Sequence, residues 1–81
     1  MFFIGSGNYV RKDMIVLIGH YDVPENKRKC KDAASKFLLT DYSRGKKKNS
    51  IVVLSDGQVF ISPLETATLV NEYNVNDHET N

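Results

Sequence analysis

The chain has 81 residues, of which 41% are hydrophobic and 26% charged, a composition typical of a single soluble globular domain. No apolar run approaches the roughly 20 residues that span a bilayer, so membrane proteins are excluded and a cytoplasmic location is expected. The net charge of +1 hides an asymmetry, since residues 1–50 carry a net +6 and residues 51–81 a net −5. In such a dipolar molecule, the basic side is suited to contact a polyanion. The acidic side is suited to contact water or a neighbouring subunit.

Size and cysteine content limit how the fold can be stabilised. A core of this size gives only about 3–5 kcal/mol of stability, so oligomerisation is expected. Cys30 is the only cysteine, which excludes an intrachain disulfide and a thiolate metal cluster built by one subunit. The apolar residues 1–4 lack a basic leader and are followed by Gly5-Ser6-Gly7, so no signal peptide is predicted.

The first third of the chain is predicted to form strands. Phe2–Ile4 and Tyr9–Val10 flank a Gly-Ser-Gly-Asn turn, because Gly and Asn tolerate the positive φ of tight reversals. Gly-Ser-Gly could also cradle a phosphate, but the absence of a Walker lysine favours a plain hairpin turn. The continuous apolar run Met14–Ile18 predicts a strand buried on both faces or at an interface, which we expect to be the central strand.

A helix is predicted from Pro24 to Phe37, where the apolar spacing becomes helical. Asp22, Pro24 and Glu25 resemble a start signal, although the capping residue stays open. The apolar stripe consists of Cys30, Ala33, Ala34 and Phe37. The basic face consists of Lys27, Arg28, Lys29, Lys31 and Lys36. The basic face is a solvated surface in the simplest interpretation, but cations in the first turn oppose the helix dipole, which hints at a use.

The second half is predicted to alternate strands and turns before a helix. Leu38–Tyr42 and Ser50–Ser55 are strands, and Asp56-Gly57 provides a type I′ turn to a partner strand over residues 58–61. Ser62-Pro63-Leu64-Glu65 resembles a capping box, with a short helix from about Pro63 to Glu72. Residues 74–81 are expected to be a disordered polar tail. The fold class is therefore a small α+β, strand-dominated domain over residues 1–73, with one main helix and a short C-terminal helix.

Four cations in five positions precede the strand at Ser50, and they form the strongest candidate site. Their mutual repulsion is relieved when phosphates replace the counterions condensed on a nucleic acid, so phosphate-backbone binding stands beside a solubility loop as an interpretation. Tyr42 could stack on a base or be a half-buried strand residue. The loop cations are Arg44, Lys46, Lys47 and Lys48.

No catalytic or metal-binding arrangement is predicted. His20 ends an apolar strand and His78 lies in the expected tail, so neither has a visible partner. Cys30 shares the helix's apolar stripe with Ala33 and Ala34, which predicts a buried small hydrophobe. We therefore expect a protein that is not an enzyme and binds no cofactor.

Several segments together resemble a known family, the small extracellular-matrix regulatory proteins of Gram-positive bacteria called the RemA and RemB group, with RemB the nearer. The resemblance runs from about Phe2 to Leu69, and the hairpin and the start of the C-terminal helix are its most specific parts. The matching residues are the apolar N-terminal strand, Gly5, Val10, Lys12-Asp13-Met14-Ile15, Ser50-Ile51-Val52-Val53 and Phe60-Ile61-Ser62-Pro63-Leu64, followed by Thr66, Thr68 and Leu69.

The resemblance implies a cytoplasmic DNA-binding transcription regulator of the biofilm type, whose RemA branch assembles into rings that carry DNA on a basic surface. There a Gly and two arginines precede the Val-rich strand, where this chain has Gly45, Lys46 and Lys47. A further basic residue precedes the Met-Ile strand in that branch, and Lys12 or Arg11 is the nearest match. Lysine lacks the planar fork of arginine, so the departure implies poorer base readout.

Two functional hypotheses follow. The first is a subunit of a symmetric homo-oligomer, a ring or a dimer, that binds double-stranded DNA through the loop cations helped by Lys12 and Arg11. DNA shape would then give more sequence preference than base-edge contacts. The second is a non-enzymatic scaffold subunit whose basic half docks onto the acidic half of a neighbour.

Overall fold

The computed structural model describes the backbone of residues 1–79 and the side chains of residues 1–75. Within these described residues, six strands, one 3₁₀ turn and two α-helices form a compact α+β domain, which confirms the predicted fold class. The elements are β1 Phe2–Gly5, β2 Asn8–Val10, the 3₁₀ turn Lys12–Met14, β3 Ile15–His20, α1 Pro24–Ser35, β4 Leu39–Asp41, β5 Ser50–Leu54, β6 Val59–Ser62 and α2 Thr66–Glu79. Neither helix combines the length and apolarity that crossing a bilayer requires within this described part.

The domain has three layers, and the middle one is a four-stranded sheet of order β3-β5-β6-β4. β5 pairs antiparallel with β3 and β6, and β4 pairs parallel with β6. Side chains alternate across β5, so Val52 and Leu54 pack with Phe2 of the β1–β2 hairpin and Leu69 of α2, whereas Ile51 packs on the α1 side. The core therefore lies in two parts, one on each face of the sheet.

The prediction that Met14–Ile18 forms the central strand is wrong, because β3 lies at the edge of the sheet. The register shifts between Ile15 and Leu17, which makes Val16 a bulged residue that is 62% exposed. A bulge of this kind bends an edge strand away from further pairing. No residue of β3 is fully buried, so the predicted burial on both faces is wrong for the single chain.

Helix α1 is shorter than predicted and ends at Ser35. Cys30 and Ala33 are buried as expected, but Phe37 lies beyond the helix with φ +60° and is 94% exposed. Its place on the apolar stripe is therefore wrong, because the chain reverses direction before the next helical turn. Val23 is the N-cap residue and Pro24 follows at the first position, without a side-chain cap.

The two predicted hairpins are confirmed, with a different second turn. Asp56 has no positive φ, while Gly57 has φ +94°, so the turn is not type I′. Instead Leu54 pairs with Gln58 through a 2.9 Å hydrogen bond from the Leu54 amide, which leaves a three-residue loop ending in glycine. The Asp56 carboxylate accepts from the Gln58 amide at 3.1 Å and completes the turn.

The predicted capping box does not form. Ser62 is the last residue of β6, and its Oγ donates to the carbonyl of Ile4 at 2.7 Å while accepting from the amide of Leu64 at 3.0 Å. The hydroxyl therefore ties the sheet to β1, and α2 begins only at Thr66. The helix continues to Glu79, so the expected tail from residue 74 starts within α2, and residues 80–81 lie outside the described part. The division into 1–73 and 74–81 stays a prediction.

Candidate nucleic-acid interface

The basic loop, residues 43–49, joins β4 to β5 and reverses sharply at its start. The amide of Ser43, which is buried, donates to Asp41 Oδ1 at 2.8 Å, and the amide of Lys46 donates to the Ser43 carbonyl at 3.0 Å. Arg44 and Gly45 between them have φ +51° and +79°, the two positive values that a type I′ turn requires. Open space surrounds the missing Cβ of Gly45, so its backbone conformation alone favours glycine there.

Both ends of the basic loop are fixed by hydrogen bonds to distant parts of the chain. Before the loop, the Tyr42 amide donates to the Ile61 carbonyl at 2.9 Å, and Ser6 Oγ donates to the Tyr42 carbonyl at 2.6 Å. At the loop's end, Asn49 Nδ2 donates to the Pro63 carbonyl at 2.8 Å. The cations consequently project from a loop whose two ends are held in place.

The four loop cations differ in their surroundings. Arg44, Lys46 and Lys47 are exposed, whereas Lys48 is half-buried and its Nζ lies 3.5 Å from Asp41 Oδ2. Slight burial raises the pKa of Asp41, but hydrogen bonds from Ser43 and the charge of Lys48 outweigh it and leave the pKa below its ordinary value. Asp41 is thus an ionised carboxylate that orients one cation and leaves three facing solvent.

Arg11 and Lys12 do not join this group in the structure. They lie just before Met14, whose carbonyl accepts a hydrogen bond from the Ser55 amide at 2.8 Å. Ser55 follows β5, whereas the basic loop precedes β5, so this segment lies at the opposite end of β5 from the loop. Arg11 pairs with Asp13 at 2.8 Å, and Lys12 Nζ lies 4.6 Å from the centre of the Tyr73 ring.

Tyr42 has the structural role that was one of the two predicted alternatives. Its half-buried ring stacks on Phe60, with ring centres 5.5 Å apart and planes inclined by 15°. It thereby joins the strand end before the loop to the core beneath it.

Sequence reasoning found the loop cations and missed the residues that position them. Ser6 and Asn49 act through contacts 36 and 14 residues away along the chain, which no local pattern predicts. Asp41 was detectable, because an Asp two residues before a loop amide is the usual acceptor of an Asx-turn.

The remaining reactive groups form no site among the described residues. Cys30 is buried, and burial together with the charge of Asp41 raises the pKa of its thiol, as suits a small core residue. No three His, Cys, Asp or Glu side chains in the described part are placed to hold a metal ion. His20 is exposed beside Glu65 and Thr66 in a shallow pocket of about 180 Å³. The side chain of His78 lies outside the described part.

Fold and loop together define a small α+β protein that presents a fixed cationic loop. Comparison with known proteins agrees with this class, since the model of the extracellular matrix regulatory protein A-like family matches residues 1–72. Proteins of Bacillus cytotoxicus, Bacillus mycoides and Bacillus cereus, each named as a presumed regulatory protein, are 31% identical over 71 residues, which cover 88% of this chain and 82% of each relative. The chain belongs to the extracellular matrix regulatory protein A-like family. The narrower resemblance to RemB stays a prediction.

Proposed function

We propose that this protein is a DNA-binding transcription regulator of the extracellular-matrix type, acting in the cytoplasm without catalysis or a cofactor. The observation that supports it best is the basic loop, because three exposed cations follow one another on a segment held at both ends. A held loop loses little conformational entropy on binding, so more of the phosphate attraction is retained as affinity.

The chemistry of the loop favours contacts to the DNA backbone over contacts to base edges. Lys46 and Lys47 are point charges without the bidentate fork that reads guanine. Lysine and arginine side chains that neutralise phosphates release condensed counterions, and this term carries no sequence information. Sequence preference then arises from DNA shape and deformability. Arg11 and Lys12 are secondary contacts in this proposal, since Asp13 and Tyr73 already engage them.

Self-association is part of the same proposal, because one loop with three free cations binds weakly. Linking several copies along a duplex raises the effective concentration and can increase affinity by about 10² or more. The single chain also leaves large apolar side chains exposed, among them Val16 at 62% and Phe37 at 94%. Contact with further copies would remove such side chains from water.

The double variant Lys46→Ala with Lys47→Ala tests the proposal against the scaffold alternative. If the loop binds DNA, the variant keeps the oligomeric mass of the wild type in gel filtration and loses affinity for a duplex in fluorescence anisotropy. If the basic half instead docks onto acidic neighbours, the oligomer of the variant dissociates. The net charges of +6 and −5 on the two halves of the chain favour this alternative. Arg28→Ala with Lys31→Ala is the matched control, because it removes two exposed charges from α1 and leaves the loop intact.

A further inference from the structure

Phe37 is an apolar side chain that the backbone holds out in water. Its amide donates to the Ala34 carbonyl at 3.1 Å, and the amide of Leu38 donates to the Ala33 carbonyl at 2.8 Å. These two bonds form a Schellman motif, in which the position of Phe37 is usually glycine. With φ +60° and 94% of its surface exposed, Phe37 is unfavourable in the single chain on two counts. A partner that covers its ring would offset that cost.

A groove on the other side of the molecule has the size and chemistry to receive this ring. It lies between β1 and α2, has a volume of about 230 Å³, and its walls are mostly apolar. The exposed carboxylate of Glu72 stands at its edge. The lining residues are Phe3, Leu64, Thr68, Leu69 and Glu72.

The charges around the two surfaces are complementary. Lys36 directly precedes Phe37 and is exposed, so a positive charge lies beside the aromatic ring. Helix α2 contains acidic residues and no Lys or Arg. A second groove, between β3 and α2, fits less well, because Lys12 lies over Tyr73 in its wall and would meet Lys36 with a like charge.

The two surfaces cannot meet within one chain. Helix α1 packs on β4 and β6 on one side of the sheet, whereas α2 packs on β1 and β3. We infer that Phe37 of one copy inserts into the β1–α2 groove of the next copy, with Lys36 facing Glu72. This inference rests on the self-association proposed above. A contact between two different surfaces repeats head to tail, and it closes into a ring or continues as a chain.

Two variants that block opposite sides of the contact test it. Phe37→Ala removes the inserted ring but keeps the groove, and Thr68→Arg fills the groove but keeps the ring. Both residues are exposed, so folding should survive and circular dichroism would verify it. Each variant alone should associate about tenfold or more weakly than the wild type in analytical ultracentrifugation. Mixed at equal amounts, the two variants should form a one-to-one dimer and no larger assembly. Each pair has one Phe37 side chain, from the Thr68→Arg chain, and one open groove, from the Phe37→Ala chain.

A charge exchange checks the same contact independently. Lys36→Glu and Glu72→Lys should each weaken association, and a chain carrying both changes should recover it. Wild-type mass retained in both blocked variants, or no dimer on mixing, would overturn the contact while leaving self-association intact. A wild-type protein that sediments as a monomer would overturn self-association as well. DNA binding by the basic loop is judged separately, with the Lys46 and Lys47 variant.

Discussion

At the scale of single residues, the conformation and exposure of Phe37 are unfavourable for the stability of the isolated chain. An L-residue in the left-handed region costs roughly 1–2 kcal/mol, and glycine avoids most of that cost. Phe37 occupies such a position with φ +60°, and in the single chain its ring lies almost wholly in water. The fold by itself would be better served by glycine, which is why we assign the phenylalanine to a contact outside the chain.

Replacing Phe37 by glycine should therefore stabilise the isolated chain by about 1 kcal/mol. Urea unfolding would measure this in a Thr68→Arg background, at a protein concentration at which that variant sediments as a monomer. Phe37→Ala in the same background is the control, because alanine keeps the Cβ atom and with it the left-handed penalty. Equal stability of the glycine and alanine variants would contradict the assignment of strain to this position.

Asp41 is the acidic residue of the otherwise cationic loop region. Its carboxylate accepts from the Ser43 amide and lies 3.5 Å from Lys48 Nζ, and its pKa is lowered. A folded-state pKa below the unfolded value means that the ionised form stabilises the fold. This contribution is present above about pH 4, near the ordinary pKa of Asp, and is lost as the pH falls through the lower folded-state pKa.

Asp41→Asn should lower the free energy of unfolding at pH 7 by less than about 1 kcal/mol, since solvent screens this half-exposed pair. Asparagine can still accept from the Ser43 amide, so the loss reports the charge alone. Urea unfolding of wild type and variant should show the difference shrinking towards zero on acidification. A difference that stayed constant between neutral and strongly acidic pH would exclude an ionic origin. The variant should also bind DNA more tightly, because the region loses a negative charge.

At the scale of elements, the basic loop was predictable in part. Its four cations fall within five consecutive positions, 44–48, so the sequence alone places Arg44 and Lys46 in one group. Their fixed position was not predictable, because it depends on hydrogen bonds to Ser6 and Pro63, which are far away in the chain. We expected Arg11 and Lys12 to assist the basic loop in binding DNA. Whether these two residues lie near the loop depends on how the β1–β2 hairpin packs, which a local pattern does not show. Local pattern identified the charges, and tertiary structure decides which of them lie together.

The fold divides in the same way between local and long-range information. Turn residues and apolar alternation predicted both hairpins, because those signals act over a few residues. The order of strands does not follow from an apolar run, so β3 was expected in the middle and lies at the edge. Ser62 has the spacing of a helix cap, but a carbonyl of β1 competes for its hydroxyl. Tertiary hydrogen bonds overrode the local preference there.

Asn49→Ala tests whether holding the end of the basic loop matters for binding. It removes the hydrogen bond to the Pro63 carbonyl and should cost about 1 kcal/mol of stability. Affinity for DNA should also fall several-fold, because the freed loop must be ordered on binding. Gln58→Ala is the control, since it removes a side-chain hydrogen bond to Asp56 in the turn between β5 and β6, at the opposite end of β5 from the basic loop. Equal effects of the two variants on DNA affinity would show that the fixation is irrelevant to binding.

At the scale of the whole molecule, charge and apolar surface are distributed so that copies and DNA need not compete. The loop cations lie between β4 and β5, and none of them lines the β1–α2 groove. Assembly through the apolar contact would leave the loops free to face a duplex together. Several weak phosphate contacts then add up through multivalency.

The salt dependence of DNA binding tests this central claim most directly. Fluorescence anisotropy of a labelled duplex of about 30 base pairs would be measured at several salt concentrations, where each neutralised phosphate contributes about 0.9 to the slope of log affinity against log salt. We predict a steep linear slope for the wild type. The double variant Lys46→Ala with Lys47→Ala should have a slope that is shallower by about 2 for each bound subunit, and the Arg28→Ala with Lys31→Ala control should keep the slope of the wild type. No binding by the folded wild type at low salt, or equal slopes for the two double variants, would contradict a role of the basic loop in DNA binding.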